Sequence, residues 1–187
     1  MTEQQLYVIV RTYDSFELRR YPAHVLAEVT IDGSFEDAGN RAFRYLFGYI
    51  SGDNRSRTKV SMTAPVVQSD AAIKIAMTAP VVQQAQNASQ FRVAFVLPAT
   101  LTIETAPEPT SPRVSLRAVP QSHAAALRFR GRWSEASYQR HLDELTSALA
   151  DAGLTPVGAP RFARFDPPFK PWFLRRNEIV LDVEAVG

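Results

Sequence analysis

Phe16-Glu-Leu-Arg-Arg-Tyr-Pro-Ala-His-Val-Leu-Ala-Glu-Val-Thr-Ile-Asp-Gly-Ser-Phe35 is the stretch on which the fold turns, because its pattern returns faintly further along the chain. Shifted by 98 positions, Leu18 meets Leu116, Arg19 meets Arg117, Pro22 meets Pro120, Ala27 meets Ala125, Gly33 meets Gly131 and Phe35 meets Trp133. In the first copy, residues 16–21 and 24–31 read as extended runs, broken by Pro22 and closed by an Asp32-Gly33 turn. From Ser34 the period changes. Ser34 followed by Asp37 resembles a capping box, and Phe35, Ala38, Ala42, Leu46 and Tyr49 recur at steps of three to four, the buried stripe of a helix that Gly52 ends. A slip of one residue restores the register beyond Trp133, pairing Phe43 with Leu142, Leu46 with Leu145 and Ile50 with Leu149. The second stripe is Tyr138, Leu142, Leu145 and Leu149, with Ser134 as its cap and Gly153 just past its end.

Working outward, a second repeat is exact: Met62-Thr-Ala-Pro-Val-Val-Gln68 returns as Met77-Thr-Ala-Pro-Val-Val-Gln83. Residues 59–62, 73–77 and 91–97 read as strands, and 106–112 as a proline-rich connector between the two copies. Residues 160–165, a tight Asp166-Pro-Pro-Phe-Lys-Pro171 segment and a last strand over 177–183 complete the chain. We therefore expect one α+β domain over 1–187, with pseudo-repeats at about 5–105 and 113–187. Its duplicated strand-strand-helix halves place two helices over a curved or closed antiparallel sheet.

Composition narrows the function classes. The chain has 187 residues, a length typical of one domain, and 45% of them are apolar. The absence of cysteine removes disulfide scaffolds, thiolate catalysis and iron–sulfur clusters. A formal charge of +2 does not make a dedicated nucleic-acid binder. Residues 1–10 lack a secretory pattern and no apolar run reaches membrane-spanning length, so a soluble, cytoplasmic protein is expected. Among catalytic patterns, no nucleophile elbow, phosphate-cradling glycine loop or His-Glu-x-x-His helix occurs, and no enzyme is expected.

Four pieces resemble the SOUL haem-binding protein family: Phe16-Glu-Leu-Arg-Arg-Tyr21, Tyr49-Ile-Ser-Gly-Asp-Asn54, Lys59-Val-Ser-Met-Thr-Ala-Pro-Val66, and Asp166-Pro-Pro-Phe-Lys-Pro171 continuing to Arg176-Asn-Glu-Ile179. The resemblance spans nearly the whole chain. It implies a distorted eight-stranded antiparallel barrel of two pseudo-symmetric halves, flanked by two helices. It also implies a shallow apolar pocket that binds haem or another porphyrin reversibly, as a carrier or buffer. The alternative on the same scaffold is an effector-sensing or protein-interaction module with a non-haem amphipathic ligand or none; a protein partner is not specified.

A haem-like plate with two carboxylates needs an apolar wall, a basic rim and, if its iron is ligated, a His, Met, Cys or Tyr. For the wall, Phe43 and Leu46 are expected to face the sheet and Phe47 to be left for a pocket, core packing being the competing reading for these aromatics. For the rim, the basic helix positions that approach the propionates in animal members align with Asn40 and Gly48 here. Arg41 and Arg44 lie nearby as substitutes or as a solvated helix face. For the iron, the histidine of one animal branch aligns with Arg20, and His24, His123 and His141 have no metal-ligand spacing. Met62 and Met77 are thioethers set either to ligate or to pack. Lys170 and Trp172 protrude from a proline-stiffened loop as candidate ligand contacts, while Arg176 and Glu178 share a strand face suited either to an ionic lock or to a binding role. The expected ligand-binding set is thus Phe43, Arg44, Phe47, Met62, Met77, Lys170 and Trp172, with apolar retention and no strong axial coordination.

Overall fold

The computed structural model of the chain describes residues 3–56, 72–167 and 169–184. In chain order the elements are β1 (Glu3–Gln4), β2 (Val8–Thr12), β3 (Glu17–Tyr21), β4 (His24–Asp32), α1 (Phe35–Ser51), β5 (Asn54–Arg55), β6 (Thr78–Ala79), β7 (Val81–Asn87) and β8 (Gln90–Val96). They continue as β9 (Glu108–Pro109), β10 (Ser115–Val119), β11 (Ser122–Arg130), α2 (Glu135–Asp151), β12 (Pro156–Arg164), a 3-10 turn (Trp172–Leu174) and β13 (Arg176–Val183).

Nine strands form one antiparallel sheet in the order β10-β4-β8-β7-β12-β13-β11-β3-β2, curled into a half-barrel. The curved antiparallel sheet with two helices is as expected, but in place of a distorted barrel of eight strands the described residues form a half-barrel of nine, with β2 and β10 at its two edges. Each initial strand pairs with the other half of the chain. β3 lies against β11 (Leu18 opposite Ala125) and β10 against β4 (Leu116 opposite Ala27). Residues 73–77 also depart from expectation. They carry no strand; Ile75 N–H instead donates to Ile50 C=O at the end of α1, and the ladder with β8 begins after Pro80, at Val81. The expected strand over 59–62 and the first Met-Thr-Ala-Pro-Val-Val-Gln copy lie outside the described residues.

Both helices begin as their capping residues dictate. Ser34 Oγ accepts from Asp37 N–H and Ser134 Oγ from Ser137 N–H, each satisfying one of the donors a helix start leaves open. At the other end of α1 the Gly52 N–H returns to Gly48 C=O. The Phe35, Ala38, Ala42, Leu46 and Tyr49 stripe is buried against β4 and β8, and Leu145 and Leu149 anchor α2 beside β11 and β13. One core cluster results, in which Leu46, Phe95, Leu145, Leu149, Phe162 and Ile179 are nearly inaccessible. Truncating Leu46 to Ala would cost about 2–5 kcal/mol by the usual scale for a filled core position.

The face of the sheet turned away from this core folds onto itself. Arg19 of β3, Leu26 of β4, Val82 of β7, Val96 of β8 and Val180 of β13 converge around a residual space of only about 40 Å³. Small residues (Ala124, Ala126, Ala163) and the Arg19–Glu178 pair fill the inside of the curl. The larger cavity lies on the helical face.

Candidate functional site

A cavity of about 410 Å³ opens between α1, β7, β12 and the segment that follows β12. That volume is within the range of small-molecule sites. α1 contributes Gly39, Asn40 and Phe43, one strip beside its buried stripe. Met77, Ala79 and Val81 come from the second Met-Thr-Ala-Pro-Val-Val-Gln copy, and Trp133, Phe165 and Phe169 add further apolar surface. Phe43 is held by two rings, edge-on against Phe95 at 5.5 Å and stacked with Phe47 at 5.5 Å.

The cation in the wall is Arg164, beside the polar groups of Asn40 and Asp166. It alternates with Phe162 along β12, so the two share the inward face, and its residue surface is only 5% exposed. Its Nη2 donates to Gln83 Oε1 at 2.7 Å, and Gln83 is fixed in turn by donating Nε2–H to Phe35 C=O at 2.8 Å. The guanidinium lies 4.9 Å from the Trp133 ring centre and 5.3 Å from that of Phe162. Burial pushes its pKa down to about 10, the Glu36 charge acting the other way, so it is cationic at neutral pH. α1 makes room for this group through Gly39: a Cβ there would stand 2.9 Å from Arg164 Cζ and closer still to Nη1.

Trp133 is oriented by Asn177, whose Oδ1 accepts the indole N–H at 2.8 Å while its Nδ2–H donates to Gly131 C=O. Period two along β13 sends Asn177 toward the cavity wall, and Arg176 and Glu178 to the opposite face. Asn177 is fully buried, so Asn177→Leu strands both partners, and we expect it to destabilise the protein by about 1–3 kcal/mol. Urea denaturation measures this, and the Trp133 emission maximum, read with Trp172 replaced by Phe, should shift as the ring loses its tether.

The proline-rich segment is clamped by Asp166, a cavity-lining residue. Its Oδ1 accepts from Lys170 Nζ at 2.7 Å and its Oδ2 from Arg176 N–H at 2.6 Å. Partial burial pushes the Asp166 carboxyl up, but these two donors and their charges outweigh it and leave it below the usual range.

Of the residues expected to bind ligand, Phe43 and Met77 line this cavity. Phe47 is exposed and stacks on Phe43 behind the wall, and Arg44 is exposed on the helix. Lys170 is engaged by Asp166, and Trp172 packs edge-on against Phe173, with Arg132 4.9 Å from its ring centre. Met62 lies outside the described residues. Asn40 lines the cavity, whereas Gly48 is tucked under Asp53. Among the histidines, His24 bonds Pro22 C=O and Gln5, and His141 stacks on Phe129 at 3.8 Å; neither lines the cavity. Among the described residues no group of three or more His, Asp or Glu is placed to hold a metal ion. Arg164, Trp133 and Gly39 were missed. Their signal was an arginine in phase with Phe162 and a glycine on the inward side of a helix.

The chain is an α+β domain with a cavity of small-molecule size beside its first helix. The model of the SOUL heme-binding protein family matches residues 2–182, and the chain belongs to that family. No curated protein matches the sequence. Among solved structures, the C-terminal domain of EcmrR is similar at a TM-score of 0.65 and 10% identity, covering 97% of this chain and 99% of that one. A hydrolase from Listeria innocua is similar at 0.60 and 14% identity, covering 94% of each chain. EcmrR in a DNA complex is similar at 0.62 and 12% identity, covering 91% of this chain and 57% of that one. At such identities the likeness is one of fold. Among the described residues no helix is long and apolar enough to cross a membrane.

Proposed function

We propose that this protein is a cytoplasmic carrier or buffer that binds haem or a related tetrapyrrole reversibly in the cavity beside α1. The observation that carries the reading is the cavity itself: about 410 Å³, walled by Phe43, Val81, Trp133 and Phe165, with one buried cation at its base. Family membership supports the ligand class. The residues fit a plate that is apolar over most of its area and acidic at one edge. When bound, a haem would bring iron, for which Met77 offers a thioether from the wall. Thioether ligation is weak, and retention rests on apolar contact. No catalytic role is assigned.

The same reading treats residues 5–105 and 113–187 as copies of one unit. In support, β3-β4-α1-β7-β8 and β10-β11-α2-β12-β13 take equivalent places on either side of the β7–β12 junction. A second reading is an effector-sensing or protein-interaction module on the same scaffold, for a non-haem amphipathic ligand or none.

Trp133 and Trp172 are the two tryptophans, and Trp133 lines the cavity. Titrating the Trp172→Phe protein with hemin should therefore give a saturable Soret shift together with quenching of Trp133 emission at the same stoichiometry. Met77→Ala should leave the Soret maximum in place. A Soret response no different from that of an unrelated protein would rule out the carrier and leave the effector-sensing reading.

A further inference from the structure

We propose that Arg164 is the anion-recognising residue of the cavity, receiving the carboxylate or sulfonate of a flat apolar ligand. The proposal rests on the cavity being the ligand site, but not on the ligand being a tetrapyrrole. Arg164 is one of the most deeply buried charges in the chain, and among the described residues no carboxylate lies within ion-pair distance of it. Its Nε–H has no hydrogen-bond partner, and Nη2 is met only by the neutral amide oxygen of Gln83.

Leaving a guanidinium so placed is costly, because burial strips its water and no carboxylate pairs with it directly, the Glu36 charge offsetting only part of the loss. The other deeply buried arginine, Arg19, shows the usual solution: two carboxylates at 2.6 and 2.7 Å. The carboxylates near Arg164 are committed elsewhere. Asp166 is taken by Lys170 and the Arg176 N–H, and Glu36 Oε1 accepts from the Glu135 N–H. The rings of Trp133, Phe35 and Phe162 offer the cation only their faces, at 4.9–5.9 Å.

The surroundings nonetheless hold the group in place. Gln83 fixes Nη2, and the missing Cβ of Gly39 lets the Nη1 side pack close against α1. A planar guanidinium whose Nε–H lacks a partner, in the wall of a cavity lined by aromatic rings, matches an oxyanion carried by a flat ring system.

The test compares two probes of nearly the same shape, 1-anilinonaphthalene-8-sulfonate and its uncharged parent N-phenyl-1-naphthylamine, by fluorescence titration of the full chain. The wild type should bind the sulfonate about 10–100-fold more tightly than the neutral probe, the scale of one charge-assisted contact. Arg164→Met should bring the two affinities to within about threefold, whereas Arg164→Lys should keep part of the preference. Should Arg164→Met fail to fold, Gly39→Ala, which displaces the guanidinium, should reduce the preference instead. Equal binding of both probes by the wild type, no saturable binding of the sulfonate, or a preference that survives in Arg164→Met would each overturn the proposal. Hemin titration separates it from the functional reading. Probe discrimination without hemin binding sinks only the tetrapyrrole, and hemin binding without discrimination sinks only Arg164.

Discussion

Glu178→Ala is expected to lower the stability of this protein by about 3–5 kcal/mol, the cost of removing one partner from a buried ion pair. Glu178 is 1% exposed and sits at the centre of the curl. Its Oε2 accepts from Arg19 Nη1 at 2.7 Å, and its Oε1 accepts from Arg176 Nη2 at 2.7 Å and Arg19 Nη2 at 3.2 Å. These bonds tie β3, an outer strand, to β13 through the intervening β11. Truncation leaves Arg19, itself 1% exposed, with Glu17, the Tyr21 hydroxyl and the Tyr7 ring as its remaining partners. For a chain of this size, each kcal/mol moves the midpoint of thermal unfolding by about 2–4 °C, so a drop of roughly 6–20 °C should be seen. Glu178→Gln keeps the shape and one acceptor oxygen, and should lose less.

The same network sets the acid limb. Burial pushes the Glu178 carboxyl up, but the hydrogen bonds and charges of Arg19 and Arg176 prevail and hold it below the usual range. A carboxyl depressed in the folded state contributes stability that is present above its unfolded pKa and lost as pH falls through the folded value. Urea midpoints of the wild type should therefore decline from about pH 5 downward, and those of Glu178→Gln should decline less over that window. Loss of less than about 1 kcal/mol in Glu178→Ala at pH 7 would mean the ion pair merely offsets its own desolvation.

Elements ruled by local chemistry are legible in the sequence itself. The stripe from Phe35 to Tyr49, the Ser34 and Ser134 caps and the Gly52 stop are written in side-chain period and capping chemistry, and they appear in the structure as read. The shared face of Arg176 and Glu178 followed from strand alternation, although their main partner, Arg19, lies 159 positions away from Glu178 and has no local signature. Non-local pairing was out of reach in the same way. Nothing within residues 115–119 says that they pair with β4, nor within β2 that it lengthens the sheet instead of closing it. Residues 73–77 look like a strand because Ile73, Ile75 and Met77 alternate along them, yet Ile75 spends its N–H on the end of α1. The cavity combined both cases. Phe43 and Met77 could be nominated from residue type, whereas Arg164 and Gly39 acquire meaning only when β12 and α1 are brought together.

Val81→Trp tests the site more severely than removal of any single contact. Val81 opens β7 directly across from Arg164 on β12 and Phe95 on β8, and it faces the cavity while Val82 faces the inside of the curl. An indole placed there projects into space that is open in the wild type, so overpacking should cost no more than about 1–3 kcal/mol, and the fold should survive. For a flat ligand the consequence is larger. Denying it contact over about 110 Å² of apolar surface removes about 2.8 kcal/mol, close to a 100-fold loss of affinity. Phe47→Ala supplies the contrast. Phe47 is exposed and touches the ligand wall only through Phe43, so its removal should change hemin affinity by no more than about threefold. If hemin bound Val81→Trp as tightly as the wild type, the macrocycle would have to lie elsewhere on the molecule. The inside of the curl offers no alternative, because its free space, lined by Arg19 and Glu178, is only about 40 Å³.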